Sequence, residues 1–229
     1  DLYVCSPANP TGNVMTLESW RALFELADRY GFVIASDECY SEIYGEDNAP
    51  PLGALTAARQ LGRDNYRRLV VFSSLSKRSN VPGLRSGFVA GDAEVLKKFL
   101  LYRTYHGSAM NPAVQAASIA AWSDETHVQD NRHQYAEKFA AVTPLIARHL
   151  PCAIPDAGFY LWAKTPMADT EFARQLLQQK NVAVLPGSYL GRVADGVNPG
   201  ENFVRLALVT SLEDCLEAAH RINDFCLSL

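Results

Sequence analysis

Residues 69–90 read L-V-V-F-S-S-L-S-K-R-S-N-V-P-G-L-R-S-G-F-V-A. Two short apolar runs, 69–72 and 87–90, flank a segment that carries Ser74, Ser76, Lys77 and Arg85. The first run is continuous rather than alternating, which is the pattern of a strand covered on both faces. The polar segment therefore begins at the carboxyl end of a buried strand. That is where open α/β sheets hold their ligands.

The same arrangement recurs upstream. Residues 32–36 form another continuous apolar run, closed by Asp37 in A-S-D-E-C-Y. Residues 2–5 form a third, followed by the turn-forming S-P-A-N-P-T-G with Asn9. Between these two runs, Leu17, Trp20, Leu23, Phe24, Ala27 and Tyr30 recur at helical spacing. Thr16 can cap that helix, Glu18 suits its first turn, and Gly31 can end it. Downstream, Asp92 caps a helix to about 105, and 112–122 is an Ala-rich helix. Strand–helix–strand repetition predicts an α/β domain with a mostly parallel sheet of about four strands.

The second half has a different grain. One long helix is expected over 125–150, then a strand at 159–163 and a helix over 170–180 capped by Thr170. Strands at 182–185 and 203–208 and a helix over 211–227 follow. This predicts a smaller α+β domain. The expected division is 1–122 and 123–229, with loops at 45–53 and 191–202.

Composition excludes several partner classes. The chain has 229 residues, 48% hydrophobic and 20% charged, an ordinary globular mix for one large domain or two small ones. Its 21 basic and 25 acidic residues give a net charge of −4. No basic footprint for nucleic acid or an anionic membrane surface is present. Apolar runs such as 69–72 and 119–122 are core-sized, far below the roughly 18 residues of a membrane helix. The five cysteines, Cys5, Cys39, Cys152, Cys215 and Cys226, include no C-x-x-C and are odd in number, which reads as reduced thiols in a cytoplasmic protein. The five histidines show no zinc spacing. His127, His133, His149 and His220 read as surface residues, and Tyr102, Tyr105 and His106 as helix-end packing.

Taken together, A-N-P-T-G (8–12), D-E-C-Y (37–40), S-L-S-K-R-S-N-V-P-G-L-R-S-G (74–87) and N-F-V-R-L-A (202–207) resemble the class I/II aminotransferases, the fold-type I enzymes of pyridoxal phosphate. The likeness runs the length of the chain. It implies part of a parallel-sheet large domain followed by a C-terminal α+β small domain. It also implies pyridoxal 5'-phosphate as cofactor, held by Lys77 as a Schiff base. Asp37 would keep the ring nitrogen protonated. Asn9 and Tyr40 would hydrogen-bond the ring hydroxyl. Arg85, eight residues after Lys77, would take the phosphate with Ser74 and Ser76. Arg205 would grip a substrate α-carboxylate, beside Asn9.

S-P-A-N-P-T-G-N-V-M (6–15), S-S-L-S-K-R-S-N-V-P-G-L-R-S-G-F-V-A-G-D (73–92) and Y-R-T-Y-H-G (102–107) resemble the branch that transaminates N-succinyl-2-amino-6-oxopimelate with glutamate in lysine and diaminopimelate biosynthesis. Arg103 would then meet a distal carboxylate, supplied across a homodimer; a helix-end arginine favoured by the dipole is the plain alternative. A broad aspartate or aromatic aminotransferase is the other enzymatic reading. Fold-type I lyases and decarboxylases form a third possibility. An aminotransferase-like sensor domain of a transcription regulator is the reading from another class. The family's phosphate-binding helix and ring-stacking aromatic would precede residue 1. The chain is thus expected to be the C-terminal part of a protein of roughly 400 residues, and to be inactive alone. A basic helix-turn-helix upstream would favour the regulator, and a Gly-rich phosphate loop the enzyme.

Overall fold

A computed structural model describes residues 1–45, 49–107 and 109–229, in two compact units. Part of the expected 45–53 loop lies outside the described residues. The first unit comprises Asp1–Ala8, Asn13–Arg132 and Asp156–Gly158. Its sheet has the spatial order β1 (Leu2–Cys5), β2 (Ile34–Asp37), β3 (Leu69–Ser74), β4 (Gly87–Gly91). The first two pairings are parallel, with Cys5 opposite Asp37 and Asp37 opposite Phe72.

β4 departs from the parallel expectation and runs antiparallel to β3, with Ser74 opposite Gly87. A parallel return needs a full crossover connection. The link here contains only the one-turn helix Leu75–Arg78 and a 3₁₀ turn at Pro82–Leu84. Gly87 makes the close pairing possible, because a Cβ there would stand 2.5 Å from the Ser73 carbonyl oxygen.

Helix α1 (Leu17–Tyr30) forms as its pattern predicts. The Thr16 side chain accepts from Ser19 N, and Gly31 closes the helix at φ 74°. Trp20, Phe24 and Ala27 pack against Ile34, Leu69 and Val71 of the sheet. Tyr30, expected in that stripe, is 69% exposed. The same core takes Ala54, Ala57 and Ala58 from helix α2 (Ala54–Gln60), which the sequence reading missed. Gly53 at its N-cap has no capping side chain. The Glu38 carboxylate substitutes, accepting from Ala54 N at 2.7 Å. Burial pushes Glu38 up, more than its hydrogen bonds from Ala54 and Ser36 lower it.

The one-turn helix Leu75–Arg78 is α3. Helix α4 (Ala93–Tyr105) starts at Asp92, whose carboxylate accepts from Glu94 and Val95. Helix α5 (Pro112–Trp122) is capped by Asn111. Helix α6 (Thr126–Ile146) ends four residues short of the expected 150. Its residues up to Arg132 belong to the first unit and those from His133 to the second, so the units divide ten residues beyond the expected 122.

The second unit comprises Asn9–Gly12, His133–Pro155 and Phe159–Leu229. It contains β5 (Tyr160–Lys164), α7 (Asp169–Lys180), β6 (Leu185–Pro186), β7 (Phe203–Ala207) and α8 (Leu212–Cys226). The sheet is antiparallel in the order β5-β7-β6. Phe139, Val142, Ile146, Leu161, Phe172, Val204, Ile222 and Phe225 form its core. The expected strand at 182–185 is displaced to the two residues Leu185–Pro186. Thr170 is not the cap of α7. Ala168 holds the cap position. Asp169 is 3% exposed and accepts from Ser188 N at 2.8 Å and Asn202 N at 3.3 Å. No helix among the described residues is long and apolar enough to cross a membrane, and no disulfide joins the five cysteines.

Candidate active site

The carboxyl ends of β2 and β3 and the start of α4's partner strand β4 bound a cavity of about 700 Å³ in the first unit. Asp37, Tyr40, Ser74, Ser76, Lys77, Arg85 and Arg103 all line it. These are seven of the nine residues singled out from sequence, and they come from three separate strand ends and one helix.

Local rules place each of them. Asp37 is the last residue of β2, and its Oδ1 accepts from Cys39 N at 3.0 Å, a tight turn that leaves the carboxylate exposed. Tyr40 follows within that turn and is buried, 8% exposed. Ser74 ends β3 and caps α3, accepting from Ser76 N at 3.2 Å. Lys77 is carried on α3 between Ser76 and Arg78. Arg85 closes the 3₁₀ turn in a left-handed conformation, φ 53°, and donates from Nη1 to Pro82 O at 2.8 Å. A non-glycine residue held there is strained backbone, a feature that gathers at functional sites. Arg103 sits in the last turn of α4, on the same chain as Lys77. It also shares with Arg85 a neighbouring cavity of about 410 Å³ whose lining includes no carboxylate.

Asn9 and Arg205 belong to the second unit. Arg205 is on the central strand β7, opposite Trp162 and Leu185. Its Nη1 donates to Asn9 Oδ1 at 2.8 Å, and the guanidinium lies 4.3 Å over the Tyr160 ring. Its Nε is buried with no hydrogen-bond partner among the described residues. A buried donor left in that state is costly unless a ligand completes it.

Sequence reasoning missed Cys39, which also lines the larger cavity. Its Sγ lies 3.4 Å from Ser74 Oγ. Burial pushes the thiol up to about 11, the Ser74 contact lowering it and Asp37 raising it further. Cys39 is therefore a neutral thiol at ordinary pH and a poor rival to an amine nucleophile. Nothing local in D-E-C-Y signals the contact, since Ser74 is 35 residues away. Sequence reasoning also set His127 aside as a surface residue. It is half-buried, with Nε2 at 2.8 Å from Ser79 Oγ and Nδ1 paired with Asp124. Of the expected helix-end packing, Tyr102 meets the His106 ring at 4.9 Å, while Tyr105 is 84% exposed.

The cavity thus presents one primary amine, one carboxylate, two guanidinium groups and several hydroxyls. Such a set can hold a carbonyl carbon, a basic ring nitrogen and a multiply charged anion at once. Its volume is that of an ordinary small-molecule site.

Comparison with known proteins places the chain in a family. The family pattern described as "Aminotransferase class I and II" matches residues 2–222. An aminotransferase structure from Neisseria meningitidis is 57% identical with a TM-score of 0.93, covering 97% of this chain and 56% of its own. A probable N-succinyldiaminopimelate aminotransferase from Thermus thermophilus is 28% identical with a TM-score of 0.84, covering 97% of this chain and 57% of its own. A probable aminotransferase of Mycobacterium tuberculosis, Rv1178, is 35% identical over 97% of this chain and 51% of its own length. The chain spans about half the length of the curated relatives it matches.

Proposed function

Because the chain belongs to the class I and II aminotransferase family, we propose that the protein carrying it moves an amino group between an amino acid and a 2-oxo acid. The observation that carries this reading is the convergence of Asp37, Lys77 and Arg85 on one cavity. Members of the family use pyridoxal phosphate. When bound, that group supplies an electron-withdrawing ring that takes up the electron pair left as a substrate α-hydrogen departs.

The residues present fit the group, because its aldehyde, ring nitrogen and phosphate each find a matching donor or acceptor in the lining. Lys77 Nζ would hold the aldehyde carbon and later take the proton from the substrate α-carbon. The Asp37 carboxylate would hold a proton at the ring nitrogen, and a fixed negative charge there favours that protonated state. Tyr40 and Asn9 would hydrogen-bond the ring oxygen. Ser74 and Ser76 hydroxyls and the Arg85 guanidinium would hold the phosphate. Arg205 would bind the α-carboxylate, a role supported by its orphaned Nε and by Asn9, which fixes the guanidinium plane.

For the substrate class, we propose acids with a second carboxylate, N-succinylated 2-amino-6-oxopimelate with glutamate as donor among them. Two observations support this: Arg103 lines the same cavity as Lys77, and the Thermus thermophilus relative is named a probable N-succinyldiaminopimelate aminotransferase, after the amino acid that corresponds to this oxo acid. The decisive experiment uses the complete protein with pyridoxal phosphate. Lys77→Ala is expected to abolish turnover and the near-visible absorption of bound cofactor. A variant that keeps both overturns the reading.

A further inference from the structure

We propose that Arg78, with Ser79 and Asn80, clamps the lysine-bearing turn to residues 121–131, and that this clamp sets the position of Lys77. The proposal rests on the reading of Lys77 as the cofactor lysine. Arg78, Ser79, Asn80 and His127 do not line the cavity, so each is a positioning residue rather than a catalytic one.

The need for a clamp follows from the length of α3. One helical turn fixes many dihedral angles for a single hydrogen bond and has no stability of its own. Its orientation must be imposed from outside. On the strand side, Ser74 caps it, Leu75 is fully buried and Leu75 N donates to Ser86 O at 3.1 Å. On the far side, the three residues after Lys77 all tie to one stretch of chain.

Arg78 is 4% exposed. Its Nη1 donates to Ala121 O at 2.7 Å and its Nη2 to Asp124 O at 3.4 Å. It pairs with Glu125 and lies 5.0 Å over the Trp122 ring. Ser79 Oγ meets His127 Nε2 at 2.8 Å, and the His127 ring is held at Nδ1 by Asp124. The imidazole and backbone N–H bonds of His127 pull Asp124 down to about 2, so this carboxylate stays ionised. Asn80 Nδ2 donates to Asn131 Oδ1 at 2.8 Å. Arg78 serves two carbonyl oxygens, a carboxylate and an aromatic face with one planar fork, a combination that the point charge of a lysine cannot reproduce.

Lys77 therefore sits between a buried leucine and a buried arginine, each fixed to a different part of the unit. A catalytic amine must be held to within a fraction of an ångström, and a misplacement of about 1 Å can cost about 10²-fold in rate. The clamp supplies that precision without touching the reacting atoms.

The test compares Arg78→Ala, Arg78→Lys, Ser79→Ala, His127→Ala and His127→Gln in the complete protein loaded with pyridoxal phosphate. Three quantities are read: kcat/KM, the pH midpoint of the bound-cofactor absorption, and the thermal midpoint. Arg78→Ala is expected to lower kcat/KM by about 10²-fold and to displace the absorption midpoint, with Arg78→Lys recovering only part of each. His127→Gln keeps a polar partner for Ser79 and is expected to stay nearer wild type than His127→Ala. Asp169→Asn, a destabilised variant of the second unit, is expected to move the thermal midpoint alone. If Arg78→Ala, or Ser79→Ala and His127→Ala where Arg78→Ala does not fold, lowers only the thermal midpoint, the clamp is merely structural and the proposal is overturned. If Lys77→Ala retains the absorption, the reading of Lys77 fails instead, and the two failures are told apart by that one variant.

Discussion

Arg205 and Arg103 are two cations to which sequence reasoning gave different carboxylates, the α-carboxylate and a distal one. Arg205 is immobilised on a central strand, stacked on Tyr160 and oriented by Asn9, with Nε awaiting an acceptor. Arg103 is exposed at a helix end and reaches a cavity from the rim. A contact common to all substrates belongs on the rigid residue. A contact that only some substrates make can sit on the exposed one. Arg205→Leu should therefore cripple every substrate, by about 2–5 kcal/mol in kcat/KM if the carboxylate pair is desolvated. Arg103→Leu should weaken glutamate and N-succinyl-diaminopimelate selectively and leave alanine nearly untouched. The assay is kcat/KM for all three in both variants. Equal losses across the three for Arg103→Leu would reduce Arg103 to a helix-end cation favoured by the dipole.

Among the elements, α7 and the segment 187–202 are joined through one carboxylate. Asp169 accepts from Ser188 N and Asn202 N, at both ends of that segment. Burial raises its affinity for a proton, but the bonds from Ser188 and Asn202 outweigh it, and the net shift is downward. A carboxyl held below its unfolded value contributes stability above about pH 4, and that stability is lost as pH falls through the folded-state value. Asp169→Asn keeps the shape but cannot accept at both oxygens. It should lose about 1–3 kcal/mol at neutral pH. Denaturant unfolding at pH 7 and pH 3 checks this. The gap between wild type and variant should narrow at the lower pH, and a gap that stays constant would show that the charge contributes nothing.

At the level of the whole chain, the first unit has a large apolar surface facing water. On α4 alone, Leu100 is 69% exposed, Leu101 63% and Tyr105 84%; on β1, Tyr3 is 80% exposed. Large apolar side chains exposed together on one helix favour burial against another surface. Residues 1–229 expressed alone should accordingly self-associate as concentration rises, and should bind a hydrophobic dye. Sedimentation velocity across a concentration series is the measurement. A single monomer species at every concentration, dark to the dye, would contradict the expectation.

Much of this was legible before any coordinates. Lys77, Asp37 and Arg85 could be found because their signals are local: Asp37 and Lys77 follow apolar runs by a few residues, Arg85 stands two residues before the next one, and strand ends are where such sheets gather polar side chains. Helix α1 could be read at both ends because Thr16 and Gly31 act on neighbours in the chain. What the sequence could not express are contacts whose partners lie far along it. Glu38 caps α2 from 16 residues away, His127 reaches Ser79 across 48, and Arg205 meets Asn9 across 196. The antiparallel turn of β4 depends on a connection too short to cross over, and the start of α7 is anchored by the Asp169 carboxylate rather than by the expected Thr170 cap because two distant amides need an acceptor. Side-chain type and near-neighbour spacing determine which chemistry this chain carries. Only the folded backbone brings a given donor within about 3 Å of its acceptor, and so only the tertiary structure decided how that chemistry is held in place.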